Sequence, residues 1–247
     1  MSYGRYVTIG PSLTPTVKYL VIACVITFLA QIPAPRAMVQ FFGLTPYLVV
    51  SQLFVWQPFT YLFLHAGFFH LLFNMFGLWM FGSELERYWG SRKFLGFFFF
   101  TGAGAGLLSI LAHPFSPIPT IGASGAIYGI LMAYGMMFPD RLVYVSFLIP
   151  VKVKYFVALL GAIAFLSALS SSGTAIDHFA HLGGMVFAFL YMKGWTTPGR
   201  IQESYYKWRL RRMERRFRVL DGGRDDKPRP PYTDPRSRRK EDDYWIN

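Results

Sequence analysis

The chain has 247 residues, of which 53 % are hydrophobic and only 15 % are charged, whereas a soluble globular domain carries about 25 % charged residues. The charges are also unevenly placed, because 16 of the 25 lysines and arginines lie between Lys193 and Lys240. The first 192 residues keep 9 basic and 4 acidic residues, too few to cover a water-soluble surface. This composition argues against a soluble enzyme and against a disordered protein. Cys24 is the single cysteine, so no intramolecular disulfide can form.

Six apolar segments predict membrane-spanning helices. A hydrocarbon core about 30 Å thick needs about 20 mostly apolar residues per helix, and several of the six are shorter, as suits helices packed inside a bundle. The first is interpreted as a retained span, since Ile32 and Pro33 follow it where a signal peptide would have small residues for cleavage. The predicted spans are Thr16–Ile32, Phe68–Gly82, Phe94–Ala112, Ser124–Phe138, Tyr155–Leu169 and His178–Met192.

The apolar and aromatic segment 46–64 could be read as a seventh span, but the placement of charge argues against it. With six spans and the N-terminus inside, lysine and arginine collect on the inner side, as cytoplasmic loops require. A seventh span would invert everything after it and put the basic tail outside. We therefore predict that Pro35–Leu64 is a long loop in the outer interface. Four of its aromatic side chains are expected at headgroup depth: Phe41, Phe42, Trp56 and Phe59.

The residues after about Trp195 are expected to form a tail. Lys207–Arg218 predicts a short basic helix, and the charge-rich and proline-rich sequence after Asp221 predicts disorder. Such a basic tail could bind nucleic acid, but an anchor at anionic lipid headgroups on the cytoplasmic face is favoured. The predicted organisation is an N-terminal cytoplasmic segment 1–14, a membrane domain 15–194 and a cytoplasmic tail 195–247.

Polar residues within the spans indicate a site, because ionisable groups at membrane depth are costly and usually functional. The set contains a nucleophile, a base and oxyanion donors, which acyl transfer needs. A single intramembrane histidine is as readily a structural group or a transport relay, so it is the conjunction on one membrane side that favours catalysis. Six residues are predicted to meet at the outer end of the bundle: His65, His70, Asn74, Ser124, His178 and His181.

The spacing of these residues supports a common site. His70 and Asn74 are four residues apart and share a helix face, and the same spacing puts Tyr128 one turn below Ser124. Two of the spans also carry a stripe of small residues along one face, a pattern that usually indicates plain helix packing. Such stripes let two helices approach closely, and a hydrogen bond between a serine and a histidine on different helices requires that approach. The stripes are Gly125, Gly129 and Ala133 on the fourth span, and Gly184 and Ala188 on the sixth.

Four motifs together resemble the rhomboid family of intramembrane serine proteases. The resemblance covers about residues 15–192, in order and at plausible separations, and the combination is far more specific than any one motif. A GxSG tetrapeptide alone would be weak. The motifs are His65–Asn74 (HAGFFHLLFN) for the second span, Gly82–Gly90 (GSELERYWG) for the GxxxExxxG continuation, Gly122–Gly129 (GASGAIYG) for the GxSG segment and Ala180–Gly184 (AHLGG) for the AHxxG motif.

The resemblance implies an all-α polytopic membrane protein, a six-transmembrane-helix bundle with a long interfacial first loop. It implies a catalytic dyad in which Ser124 is the nucleophile and His181 the general base. The oxyanion hole would consist of His70, Asn74 and the backbone N–H of Ser124. Supporting positions would be Tyr128, packed against the His181 ring, and also Gly122, Gly125, His65 and Gly184.

Two departures from the family pattern stand out. Trp56-Gln57-Pro58 occupies the place where relatives often carry Trp-Arg, which puts the anchoring of the first loop in doubt. Ala188 replaces a second glycine and would widen a helix contact by about one methyl group.

Asp177, four residues before His181, is a possible third catalytic member, although the resemblance implies a dyad.

The expected function is cleavage of single-span membrane proteins near the outer membrane face. One alternative is a catalytically silent quality-control factor, which would usually lack the serine or the histidine. A proton-coupled transporter is another, but it would need acidic relays in several spans, and spans one, three and five have none. No metal site is expected, because the histidines lack a Cys or Glu cluster at ligand spacing. No cofactor and no nucleic-acid partner are expected either. The bilayer of a bacterial inner membrane, with both termini in the cytoplasm, is the expected location.

Overall fold

The structure, a computed structural model, describes residues 11–145, 149–170 and 177–195, which all belong to one compact unit, Met1–Ile201. The N-terminal residues 1–10 and nearly all of the predicted tail lie outside the described residues. The predictions of a basic helix at Lys207–Arg218 and of disorder after Asp221 also fall there, and they stay predictions.

The described chain is mainly helical, and each of the six predicted spans coincides with helix. The first loop contains shorter helices, each of which begins at or next to a proline, whose fixed φ favours the first turn. The helices are α1 (Pro15–Gln31), α2 (Pro35–Phe42), α3 (Pro46–Gln52), α4 (Gln57–Thr60), α5 (Phe68–Gly77), α6 (Ser83–Trp89), α7 (Ser91–Ala112), α8 (Ser124–Met137), α9 (Val153–Leu169) and α10 (His178–Trp195).

Length and composition support fewer spans than the sequence predicted. Within the described ranges, α7 is the one helix long and apolar enough to cross a membrane by itself, with 22 residues and a mean hydropathy of 1.9. A second candidate consists of 57–63 and 68–89, which are bent by 100° relative to each other. Helices α1, α8 and α9 are apolar but shorter. The count of six spans therefore stays a prediction.

The second predicted span extends beyond Gly82. Between α5 and α6, residues Leu78–Gly82 form a π-helical turn, so helical backbone continues from Phe68 to Trp89. Gly90, with a φ of +84°, ends this run and precedes α7. The π turn adds a residue to the helical repeat, and such turns often occur at functional sites.

The first loop is folded into short helices, and no single helix crosses residues 46–64. Leu53, in a left-handed conformation with a φ of +59°, ends α3. Gln57 is fully buried, and its side chain accepts a hydrogen bond from the Thr45 N–H (2.9 Å) and donates to the Gln40 carbonyl (3.2 Å). The Trp56 indole donates to the Phe41 carbonyl at 2.8 Å. A neutral glutamine therefore anchors this loop. Its depth in the membrane interface stays a prediction.

The all-α prediction missed one element. Strands β1 (Leu142–Val145) and β2 (Ile149–Lys152) form an antiparallel hairpin between α8 and α9, with Tyr144 opposite Pro150. Valine, isoleucine and tyrosine are enriched in strands, because their side chains fit a pleated surface. The segment is too short and too mixed in polarity to be distinguished from a loop by its pattern alone.

Helices α7, α8 and α10 form the centre of the bundle and pack at backbone distance. A Cβ atom added at Gly184 would lie 1.9 Å from the Gly125 carbonyl oxygen. One added at Gly129 would lie 2.7 Å from the Thr101 Cβ. Ala188, the departure from the family pattern, is fully buried in the same region. Glycine is therefore required at these crossings, and the two chain segments that carry Ser124 and His181 are brought together by them.

Candidate active site

Ser124 is the first residue of α8 and is half-buried. The turn before it depends on Gly122, whose φ of +118° is one that side chains with a Cβ rarely adopt. The Gly122 N–H donates to the Tyr61 carbonyl at 2.9 Å, which fixes the turn against the end of the first loop. The first N–H groups of a helix have no partner within the helix. Ser124 therefore presents its hydroxyl beside backbone donors suited to a developing negative charge.

His181 on α10 meets this serine directly. The Ser124 Oγ lies 2.8 Å from the His181 Nε2, a hydrogen-bond distance. The Tyr128 ring stacks on the imidazole with centroids 4.3 Å apart and planes inclined by 1°. This parallel ring restricts how far the imidazole can tilt. The structure thus brings Ser124, His181 and Tyr128 together, the three residues predicted as the nucleophile, the base and the ring that packs against the base.

His70 approaches the same turn from α5. Its Nδ1 accepts a hydrogen bond from the Ala66 N–H (3.3 Å), so that in the neutral ring Nε2 carries the proton and can donate. A Cβ added at Gly122 would lie 2.8 Å from His70 Nε2. The imidazole therefore lies against the backbone two residues before Ser124, with a donor on that side.

Asn74 lies one turn further along α5 and is buried. Its amide donates to the His70 carbonyl at 2.7 Å, which uses one of its two N–H hydrogens. The second hydrogen remains for another acceptor. His70 and Asn74 share a helix face, as their spacing predicts.

His65 lies behind His70 rather than beside the serine. It is 1 % exposed, its ring is 5.2 Å from that of His70, and its Nδ1 lies 3.2 Å from the Phe63 carbonyl. Gln31 of α1 holds the His65 backbone with two hydrogen bonds. In the described part of the chain the His65 Nε2 has no hydrogen-bond partner. His65 therefore supports the position of His70 from a second layer.

Asp177 does not complete a triad in this structure. Its carboxylate accepts hydrogen bonds from Ser109, Thr120 and the Ala180 N–H. Among the hydrogen bonds of the described residues, none joins this carboxylate to the His181 ring. His178 lies beside His181 with ring centroids 6.1 Å apart, and the hydrogen bond to Ser124 is made by His181. The geometry is that of a two-residue pair.

Several residues that shape the site were missed by the sequence reasoning. Tyr61 is 1 % exposed, and its hydroxyl donates to the Gly102 carbonyl on α7 at 2.8 Å. Thr120 pairs with Leu44 through two backbone hydrogen bonds of 2.8 and 2.9 Å. Neither residue has a periodic or motif signal, because each contact joins segments that are far apart in sequence.

Within residues 11–145, 149–170 and 177–195, no group of three or more His, Cys, Asp or Glu side chains could hold a metal ion.

A serine at a helix N-terminus that is hydrogen-bonded to a histidine on a neighbouring helix is an arrangement that serine hydrolases use. The Rhomboid domain family model matches residues 52–196, more than half of the chain, and the chain belongs to the rhomboid family. This family consists of integral membrane proteins and includes relatives named as proteases.

Three relatives illustrate the similarity. Rhomboid-like protease 1 of Toxoplasma gondii is 32 % identical over 194 residues, which cover 75 % of this chain and 62 % of the relative. Rhomboid protease GluP of Bacillus subtilis is 33 % identical, with coverages of 71 % and 34 %. Rhomboid protein 1, mitochondrial, of Saccharomyces cerevisiae is 32 % identical, with coverages of 62 % and 43 %. The chain thus spans less than two thirds of the length of each of these relatives.

Proposed function

We propose that this protein is an intramembrane serine endopeptidase that hydrolyses peptide bonds of single-span membrane proteins. Ser124 is the nucleophile and His181 the general base. The observation that carries the proposal is the 2.8 Å contact between Ser124 Oγ and His181 Nε2, with the histidine ring stacked on Tyr128. The protease names of the relatives from Toxoplasma gondii and Bacillus subtilis support the same activity.

The proposed reaction has two halves. His181 takes the proton of the Ser124 hydroxyl as Oγ attacks the scissile carbonyl carbon, and the carbonyl oxygen becomes an oxyanion. His181 then gives the proton to the leaving amine, which breaks the peptide bond and leaves an acyl-enzyme. In the second half a water molecule gives a proton to His181 and its oxygen attacks the ester carbon. His181 then returns that proton to Ser124 Oγ as the ester bond breaks, which releases the carboxylic acid and regenerates the serine hydroxyl.

Three donors are proposed for the oxyanion. The Ser124 N–H lies at the beginning of α8, His70 presents its Nε2 side to the turn at Gly122, and Asn74 retains one amide hydrogen. Donors held in place before the reaction stabilise the charge without the cost of reorganising solvent. Loss of a single donor should therefore reduce the rate less than loss of a dyad member.

The substrate class follows from the environment of the site. Large apolar side chains are exposed on the outside of the bundle, Phe69 and Phe73 of α5 at 69 and 70 % and Leu166 of α9 at 63 %. Such faces suit a lipid bilayer. A peptide bond inside a helix is already hydrogen-bonded, so a membrane substrate must unwind locally before attack. We propose single-span helices that unwind easily near the outer membrane face.

The location is proposed from charge. Arg87 and Arg141 both pair with Glu84, and Lys152 and Lys154 both pair with Asp140, next to Arg141 in sequence. The basic segment of the tail follows the last helix in sequence. Basic residues prefer the cytoplasmic side. We propose a multi-pass protein of a bacterial inner membrane with both termini in the cytoplasm and the tail at anionic lipid headgroups.

Substitution of the dyad tests the proposal. Purified protein in detergent should cleave a model single-span substrate, and Ser124→Ala and His181→Ala should each abolish the cleavage. His178→Ala is a matched control, because it removes a histidine from the same helix without touching the serine. Equal losses in all three variants, or cleavage by Ser124→Ala above about one part in a thousand, would assign the activity to other residues.

A further inference from the structure

The carboxylate of Asp177 joins three separate parts of the bundle. Its Oδ1 accepts a hydrogen bond from the Ala180 N–H at 2.9 Å, the pattern of a residue that caps the beginning of a helix. Its Oδ2 accepts from the hydroxyl of Ser109, which is 4 % exposed on α7, and from the hydroxyl of Thr120 at 2.6 Å. Three protein donors thus replace the water that this partly buried carboxylate loses, because a buried charge is costly without hydrogen-bond partners.

The position of these partners relates the network to the site. Thr120 lies four residues before Ser124, and Asp177 lies four residues before His181. Thr120 is also fixed on its other side by paired backbone hydrogen bonds with Leu44 of the first loop. The bond between Thr120 and Asp177 thus connects the segment that leads to the nucleophile with the segment that leads to the base.

We infer that Asp177 is a positioning residue for the Ser124–His181 pair, which rests on the function proposed above. It acts through the relative placement of two chain segments, since its described hydrogen bonds go to Ser109, Thr120 and the Ala180 N–H. The glycine crossing at Gly184 and Gly125 fixes the distance between α8 and α10 on the C-terminal side of His181. The Asp177 network fixes the distance between the same two segments on the N-terminal side of His181. Hydrogen bonds to a charged acceptor are short and strong, so they hold this end within the tolerance that an efficient proton transfer needs.

The chain offers a matched control for this inference. At the beginning of α1, the Thr14 hydroxyl donates to the buried carboxylate of Glu86, which also accepts from the N–H groups of Thr16 and Val17. This second network has the same chemistry, a threonine hydroxyl on a carboxylate at a helix N-terminus, but contains no residue of the site. Thr120→Val and Thr14→Val remove the same group from each network at nearly constant volume.

The experiment compares the two variants in three measurements: thermal unfolding, kcat and KM for a model single-span substrate, and the rate at which a fluorophosphonate labels Ser124. Both variants should unfold at a lower temperature. Thr120→Val alone should lower kcat and the labelling rate, by about tenfold, with KM unchanged. Equal rates in the two variants, with a wild-type protein that is active, would overturn the inference and leave the proposed function intact.

A double-mutant cycle separates positioning from general loss of stability. Asp177→Asn retains an oxygen that can cap Ala180 but replaces the second oxygen with a donor. In that background Thr120→Val should cause little further loss of kcat, because the two changes remove one interaction. Losses that multiply would overturn the inference. If the wild-type protein shows no cleavage that depends on Ser124, the proposed function fails and the positioning role fails with it.

Discussion

Substitution of Gly184 by alanine tests whether the helix crossing sets the geometry of the site. The new Cβ would lie 1.9 Å from the Gly125 carbonyl oxygen, whereas an ordinary carbon–oxygen contact is about 3.3 Å. Helix α10 must therefore move away from α8 by about 1.4 Å. His181 lies one turn earlier on α10, so its 2.8 Å contact with Ser124 would lengthen toward about 4 Å, beyond hydrogen-bond range.

The expected cost of Gly184→Ala is on the order of 10²-fold in kcat, the usual effect of a displacement of about 1 Å. Overpacking should also cost about 1–3 kcal/mol in the free energy of unfolding. Gly194→Ala is the control on the same helix, since a Cβ there meets no atom within 4 Å, and alanine favours helix by about 1 kcal/mol. Substrate cleavage and thermal unfolding in detergent measure both effects. Wild-type activity and stability in Gly184→Ala would refute the backbone-distance crossing.

Three further predictions concern the donors and the first loop. Gly122→Ala should lower the rate of cleavage, because φ is +118° and the new Cβ would lie 2.7 Å from a His70 ring carbon; an unchanged rate would show that the turn relaxes freely. Asn74→Ala should cost about 10²–10³ in kcat and still exceed the Ser124→Ala background in the same cleavage assay; a silent change would remove Asn74 from the oxyanion hole. Gln57→Leu should lower the unfolding temperature, because it leaves the Thr45 N–H without its acceptor, at about 1–3 kcal/mol for such a group. The exposed Gln40→Leu serves as its control in thermal unfolding, and equal effects of the two would contradict the anchoring role.

The sequence predicts the helices of the bundle well for a physical reason. Long apolar runs between charged or proline-containing segments leave few alternatives, and the observed helices begin within a few residues of the predicted spans. The pairing of Ser124 with His181 depends on one long-range contact. The small residues at Gly125 and Gly184 indicate that the contact is possible, and only the family resemblance selects it from other pairings of six helices.

The remaining features depend on contacts that no local pattern encodes. The anchoring of the first loop by Gln57 replaces the expected arginine with a neutral amide that both accepts and donates, which composition alone does not reveal. The three partners of Asp177 come from α7, from the segment before α8 and from α10. A carboxylate four residues before His181 suggested contact with the imidazole, whereas the structure directs it to two hydroxyls and the cap of its own helix.

The separation of Ser124 and His181 by 57 residues has a consequence for biosynthesis. Ser124 is translated with α8, but His181, the proposed base, is translated only with α10, after the hairpin and α9. A nascent chain that ends between residues 124 and 181 contains the Ser124 hydroxyl and lacks the histidine proposed to activate it. If the proposed mechanism holds, the order of the elements keeps Ser124 without its base in every truncated product that ends before α10, so that an incompletely synthesised copy cannot cleave neighbouring membrane proteins.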